Sequence, residues 1–331
     1  MKPGSPEYSD VAPNVTRLRL LQSLRALGYD FIAPTPASQA RVLRRPDRQV
    51  GATLSDLLGW SLPCRCDRLP SDVVDALDAA GLLERRGDGL IVAQVRVSNV
   101  FGHLFLHSRY PTLETDAVFL GPDSYRFADY ISRNLTDVPD GARILDYGAG
   151  AGVGGIVAAA LVGNASLTLA DINPKALSLA SVNAACARIT HRTTQAATPS
   201  DVAGSFDLIV SHPPFMIDPA RRAYRDGGDL WGGKLSLDWT RAAIGKLAPG
   251  GRFIMHTGVS IVDGRDVVRD AVREAMPATG YRYDYRVLDP DIFGDELDKP
   301  SYAGVDRIAA IGLCVDREVE KEISPPVRRL R

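Results

Sequence analysis

Cysteine, histidine and methionine are scarce in this chain, with 4, 5 and 4 copies among 331 residues. Cys64, Cys66, Cys186 and Cys314 make neither a disulfide framework nor a zinc spacing. Cys64-x-Cys66 is one residue short of a redox or zinc-type pair, so ordinary packing is expected there and no metal is expected anywhere. Long apolar runs are also missing: none approaches the ~20 residues a membrane-crossing helix needs. The opening Met1-Lys2-Pro3-Gly4-Ser5-Pro6-Glu7 has no apolar core of the secretory-leader kind. No membrane partner and a cytoplasmic location are therefore the expectations. Neither sign of charge is in excess, since 39 Lys and Arg face 40 Asp and Glu for a net charge of −1. That balance excludes a general attraction to nucleic acid or to anionic lipid. What remains is 45% hydrophobic and 24% charged, the composition of a globular enzyme with one large domain, or one medium and one small.

The pattern along the chain divides near residue 112. Residues 1–13 read as flexible, and a helix is expected from Val15 to about Leu27 with Leu18, Leu21 and Leu24 on one face. Thr53 then caps a short helix bearing Leu54, Leu57 and Leu58, and Ser71 caps a second bearing Val73, Val74 and Leu77. Gly81 stops that helix, and Glu84 to Gly89 turns between two apolar strands. Residues 1–111 thus read as a winged-helix-like module. Its second helix carries Asp72, Asp75 and Asp78 and no basic residue, which repels phosphates. A lid or a dimerisation element is favoured over a DNA reader, and a homodimer through this module is one expectation.

Residues 112–316 alternate strands, near 143–147, 166–171, 191–194, 206–211 and 251–257, with helices near 153–162, 174–187, 236–247 and 264–275. Apolar runs such as Leu208-Ile209-Val210 belong to strands covered on both faces, hence a doubly wound, mostly parallel α/β sheet. Tyr281–Leu288 and Val305–Val315 are two strands with no helix between them, an antiparallel closing pair that brings the sheet to seven strands. The tail, 317–331, reads as loose.

The strand Arg143-Ile144-Leu145-Asp146-Tyr147 runs into Gly148-Ala149-Gly150-Ala151-Gly152 directly before a helix. Glycines there permit a sharp bend and close approach of backbone to a ligand, and a helix start offers free N–H groups. Two nucleotide cofactors compete for such a turn. Gly150-Ala151-Gly152-Val153-Gly154-Gly155 fits a dinucleotide fingerprint, with Asp171 placed as the ribose acid. Asp146 before the glycines, His212-Pro213-Pro214-Phe215 after the strand at 206–211, and the closing strand pair favour S-adenosylmethionine instead.

On these residues, and on Ala170-Asp171-Ile172-Asn173-Pro174, Phe206-Asp207-Leu208-Ile209-Val210-Ser211 and Tyr224-Arg225-Asp226-Gly227-Gly228, the chain resembles class I S-adenosylmethionine-dependent methyltransferases with a Rossmann-like fold. It is most similar to members with Asn-Pro-Pro-Tyr or Asn-Pro-Pro-Phe, such as the release-factor glutamine methyltransferases. The resemblance implies that Gly148, Ala149, Gly150 and Gly152 lie against the methionine portion of the cofactor. Asp146 would hold its ammonium group, and Asp171, with Ile172 beside it, its ribose. Asn173 joins that set by position, although before Pro174 it suits a helix cap better. The adenine contact is expected within Gln195–Thr198.

In the resembled enzymes an Asn and the following proline backbone hold a planar –NH2 group for attack. Here that position is His212, whose imidazole offers one donor and one acceptor and cannot copy an amide, but can take a proton. His212, Tyr125, Pro213 and Phe215 are the candidate catalytic residues, and Phe127, Trp231 and Gly228 the candidate lid or substrate residues. Tyr125 and Phe127 are chosen because aromatic faces attract the cofactor's sulfonium. His103, His107, His191 and His256 have weaker claims. The leading expectation is methyl transfer to a nitrogen or oxygen of a small molecule. The alternative follows a further resemblance, to azetidine-2-carboxylate synthases, which also carry a small N-terminal module and convert S-adenosylmethionine itself into a cyclic amino acid and methylthioadenosine.

Overall fold

A computed structural model describes residues 11–319. The N-terminal part comprises α1 (Val11–Ala26), α2 (Pro36–Leu43), β1 (Cys64–Arg65), α3 (Ser71–Ala79), β2 (Leu83–Arg85), β3 (Leu90–Ala93), β4 (Val95–Val100) and β5 (His103–Ser108). The second part runs α4 (Pro122–Arg133), β6 (Arg143–Tyr147), α5 (Val153–Val162), β7 (Ser166–Asp171), α6 (Pro174–Cys186), β8 (His191–Gln195) and β9 (Phe206–Ser211). It continues through α7 (Lys234–Ile244), β10 (Leu247–Val262), β11 (Arg265–Asp266), α8 (Val267–Ala275), β12 (Tyr281–Ile292) and β13 (Arg307–Arg317).

The main sheet has the order β12-β13-β10-β9-β6-β7-β8, with short β11 pairing onto β10. Strands β8, β7, β6, β9 and β10 are parallel, and β13 is antiparallel to both of its neighbours, β10 and β12. The expected closing pair is therefore present, with the last strand inserted inside the sheet rather than at its edge. Burial explains why the central strands read as continuous apolar runs. Ile144, Leu208, Val210 and Ile254 enter one core, while Leu145, Ile209, Phe253 and Met255 enter the core on the other face. Successive residues point to opposite faces, so a strand buried on both sides has no polar positions to spare.

Several local expectations need correction. Helix α1 begins at Val11, so residues 11–13 are helical; the rest of the expected loose start, and the tail from 320, lie outside the described residues. The segment after Thr53 is a single π-type turn, Ser55–Gly59, and the cap of α3 is Pro70 with Ser71 as its first helical residue. Strands β1, β3 and β2 form a three-stranded antiparallel sheet, and the β4–β5 hairpin stands apart from it as its own pair. Helix α4 was not read from the sequence at all.

The N-terminal part shares a core with the main sheet. Leu21, Leu24, Phe105 and Leu106 join Phe127, Ile156 and Ala180 in one buried cluster. The join is pinned by Asn183 on α6, buried at 1% exposure. Its Oδ1 accepts from Leu106 N–H at 2.8 Å, and its Nδ2 donates to the Leu106 carbonyl at 3.1 Å and the Ala151 carbonyl at 2.9 Å. A side-chain amide here completes an interrupted sheet edge. Replacing Asn183 with leucine leaves a buried N–H and two carbonyls unpaired, and is expected to lower the unfolding free energy by ~3 kcal/mol. Urea titration reads this as a lower midpoint at unchanged slope; an unchanged midpoint would remove the amide's role as the tie.

Candidate functional site

Strand order reverses at β6, with β7 on one side and β9 on the other, and such reversals open a crevice beyond the strands' C-terminal ends. A cavity of about 650 Å³ occupies that position. Its floor is the turn after β6, where Gly148, Gly150 and Gly152 all have positive φ (71°, 54° and 84°), a conformation that side-chain-bearing residues rarely adopt. Asp171, at the end of β7, holds the turn in place. Its Oδ2 accepts from Gly150 N–H at 2.9 Å and its Oδ1 from Asn173 N–H at 2.8 Å. Asp146 does the same for α5, its Oδ2 accepting from Gly155 N–H at 2.8 Å.

Both acids are desolvated. Burial raises the Asp171 carboxyl, opposed by the backbone N–H groups of Asn173, Gly150 and Ile172. Burial also pushes Asp146 up to about 7, opposed by Gly155 N–H and reinforced by the charge of Asp171. The floor of the cavity is thus short of positive charge.

The facing wall is His212-Pro213-Pro214-Phe215 at the end of β9. His212 Nδ1 lies 2.8 Å from the His256 carbonyl oxygen and 3.2 Å from His256 Nδ1. A carbonyl only accepts, so Nδ1 carries the proton of His212 and Nε2 bears the lone pair. No described residue bonds that Nε2. Burial lowers the pKa of His212, with the Asp123 carboxylate opposing, so the imidazole is neutral near pH 7. His256, buried within β10 rather than at its end, keeps its proton on an Nε2 that has no partner, and its pKa lies well below the ordinary histidine value.

The candidates from the sequence divide by place. Asp146, Gly148, Ala149, Gly150, Asp171, Ile172, Asn173, Phe127, His212, Pro213 and Phe215 all line the cavity. Gly152 stands behind the turn as the N-cap of α5. The side chain of Asn173 is spent on structure: Oδ1 accepts from Lys175 N–H, capping α6, and Nδ2 donates to the Asp116 carbonyl. Within 195–198, Ala197 lines the cavity, while Gln195 turns back to the Ile172 carbonyl.

Tyr125 does not line the cavity. It lies on the opposite side of α4 from the cavity-lining residues, where its hydroxyl accepts from Ala33 N–H at 2.9 Å. Trp231 is 42% exposed outside the cavity, and its carbonyl accepts from the Ser260 hydroxyl at 3.0 Å. Gly228 also lies outside, its N–H donating to Asp226 at 3.3 Å. These three corrections share one cause, since proximity in sequence to a motif does not say which way a helix or loop faces.

Residues unread in the sequence complete the site. Asp123, 4% exposed in the first turn of α4, borders it and accepts from Arg126 at 3.0 Å. Trp239 of α7 stands edge-on to Tyr147 (4.6 Å, 85°) and so near Gly148 that a Cβ there would come within 2.6 Å of its ring. The outer wall is two loops, one carrying Arg221–Asp226 and the other Phe293, Glu296 and Lys299. Arg225 and Lys299 both reach Glu296 at 2.6 Å.

Comparison with known proteins bears on what this cavity holds. Residues 128–231 match the family described as Methyltransferase small domain. The release factor glutamine methyltransferase of Deinococcus radiodurans is 32% identical over 125 residues, which is 34% of this chain and 45% of that protein. The release factor glutamine methyltransferase of Agrobacterium fabrum is 27% identical over 243 residues, 69% of this chain and 81% of that protein. Ribosomal RNA small subunit methyltransferase C of Haemophilus influenzae (strain PittEE) is 40% identical over 83 residues, 24% of this chain and 25% of that protein. The chain spans about half the length of the first curated relatives it matches, 45% and 50%.

The buried acid gives a test of the site's electrostatics. The carboxyl of Asp146 titrates higher in the folded chain than in the unfolded one, so its contribution to stability is present at low pH and lost as pH rises through about 7. Asp146→Asn keeps an acceptor for Gly155 N–H without the charge. The difference in melting temperature, mutant minus wild type, is expected to be more positive at pH 8 than at pH 5; a pH-independent difference would remove the desolvated carboxylate from the account.

Proposed function

This chain carries an S-adenosylmethionine-dependent methyltransferase domain, and from that premise we propose that it methylates an oxygen or nitrogen of a small-molecule metabolite with His212 as the base. The observation that carries this reading is the unpaired Nε2 of a neutral His212 at the end of β9, where the resembled enzymes place an amide-binding Asn. The glutamine chemistry in the names of the first relatives rests on that amide, so it is not carried over.

The residues fit the cofactor. Each oxygen of Asp171 accepts one backbone N–H and keeps a lone pair for one of two neighbouring sugar hydroxyls. Asp146 has a second oxygen with no bond, suited to an ammonium, whose charge would draw the carboxyl back to its ionised form. Bound there, S-adenosylmethionine supplies an electrophilic methyl group on a sulfonium. The rings of Phe127 and Phe215 stand tilted beside His212, at 5.6 and 5.8 Å between ring centres. His212 Nε2 then takes the acceptor's proton, and the Asp123 carboxylate favours the resulting imidazolium.

Charge at the cavity mouth supports a small acceptor over RNA. Arg222 is held by Asp218 at 2.7 Å, and Arg225 and Lys299 share Glu296 at 2.6 Å. Of the cations lining the cavity, only Arg221 has no partner among the described residues. A surface for a polyanion carries many free cations. Among the described residues there is also no group of acids, histidines and cysteines that could hold a metal, and no helix long and apolar enough to cross a membrane.

The deciding experiment incubates the protein with S-adenosylmethionine alone and then with a pool of hydroxyl- and amine-bearing metabolites. No turnover is expected in the first, and S-adenosylhomocysteine in the second. Methylthioadenosine and a cyclic amino acid from the first incubation would replace methyl transfer by cyclisation. In the same assay His212→Ala is expected to lower kcat by roughly 100- to 10,000-fold with cofactor affinity nearly unchanged. Wild-type kcat should rise with pH through a value below 6.5 and then level, because burial favours the neutral imidazole. Asp171→Ala should weaken cofactor binding by about tenfold or more in calorimetry, the loss of two charge-assisted hydrogen bonds; unchanged binding would overturn the ribose assignment.

A further inference from the structure

The outer half of the cavity has a chemistry of its own, unused by the turn, the two acids or the proton-accepting nitrogen. Resting on the methyl-transfer reading above, we propose that it is the acceptor site for a hydroxylated aromatic carboxylic acid, with its phenol beside His212 and its carboxylate at Arg221.

Rings line the route between those points. Phe127, His212, Phe215 and Phe293 form a continuous row with successive centres 5.6, 5.8 and 5.8 Å apart. Phe215 is seated by Gly258, where a Cβ would fall 2.2 Å from its ring, so its position is set by backbone. The same cavity is bordered by Phe119 and Tyr224, stacked at 6.5 Å and 22°. Two aromatic surfaces on one chamber suit a flat ring, which meets them face-on or edge-on without ordering rotatable bonds.

Charge at the far end selects an acid. The rim cations Arg221, Arg222, Arg225 and Lys299 are answered by Asp218, which binds Arg222, and by Glu296, which Arg225 and Lys299 share. Arg222 also lies over the Tyr224 ring at 5.7 Å. Asp226 accepts from the backbone N–H groups of Asp218 and Gly228, at 3.4 and 3.3 Å. Arg221, exposed on a loop with φ of 51°, is the rim cation with no partner among the described residues, and one guanidinium matches one carboxylate.

At the near end the acceptor meets a neutral imidazole. A phenol, with a pKa of about 10 as in tyrosine, gives up its proton to such a base far more readily than an aliphatic alcohol does. The proton moves from the phenol oxygen to Nε2 as that oxygen bonds the methyl carbon and the carbon–sulfur bond breaks, so the sulfonium becomes a neutral thioether and the positive charge passes to His212.

The test uses the full chain, with cofactor binding measured first by calorimetry. In the presence of S-adenosylhomocysteine, 4-hydroxybenzoate and 4-hydroxycinnamate are then titrated beside their methyl esters and beside 4-hydroxycyclohexanecarboxylate. At least one of the two acids is expected to bind, and to yield an O-methyl ether by mass spectrometry when S-adenosylmethionine is supplied. Its ester and the saturated acid should bind about tenfold more weakly. Arg221→Met should weaken the acid and leave the ester unchanged, whereas Phe293→Ala should weaken both. Equal binding of acid and ester, equal binding of aromatic and saturated rings, or no binding of either acid by a protein that binds the cofactor would overturn the acceptor class alone. Failure to bind S-adenosylmethionine would overturn the methyl-transfer reading and this proposal with it.

Discussion

Two desolvated carboxylates, Asp146 fully buried and Asp171 half-buried, hold backbone N–H groups at the point where the sheet reverses, and the site depends on that constraint. Asp171 takes Gly150 and Asp146 takes Gly155, so the turn after β6 and the first turn of α5 are both tied to acids. Desolvation makes this arrangement expensive, as the raised pKa of each shows. A cavity floor with two acids and no cation of its own is suited to a ligand that brings positive charge. S-adenosylmethionine brings two, an ammonium and a sulfonium.

Opposite that floor, the parallel pairing of β9 with β10 positions the proposed base. Ser211 pairs with Met255, so His212, just past the end of β9, comes to lie beside His256, which is still within β10. The His256 carbonyl then takes the Nδ1 proton of His212 and fixes the tautomer. One strand register thereby sets which nitrogen is basic. The neighbouring ring leaves its own Nε2 buried and unpaired, a polar group tolerated where the register brings the two histidines together.

Much of the second half was legible because local rules and tertiary demands agree there. Strands β6, β7, β8 and β9 and helices α5 and α6 lie where apolar runs, glycines and the Asn173-Pro174 cap place them. The glycine turn, Asp171 and the His212 motif were legible for the same reason, since a bend with positive φ admits few residues. Helix α4 was not, because its sequence, Pro122-Asp123-Ser124-Tyr125-Arg126-Phe127, reads locally as a polar loop and becomes a helix by packing Phe127, Tyr130 and Ile131 into the core. With that helix unread, its buried acid went unnoticed, and nothing in the sequence showed that Tyr125 faces away from the cavity.

By itself, the sequence determined a doubly wound sheet, a glycine turn for a nucleotide-type cofactor, and a histidine in place of an amide. These are properties of short segments, governed by backbone conformation and side-chain period. Only the tertiary structure decided which aromatic rings border the cavity, which cations at its mouth are already paired, and which nitrogen of His212 is free. Each of those depends on residues far apart in the chain, such as Arg225 with Glu296 or His212 with His256, and no local pattern records the distance between them.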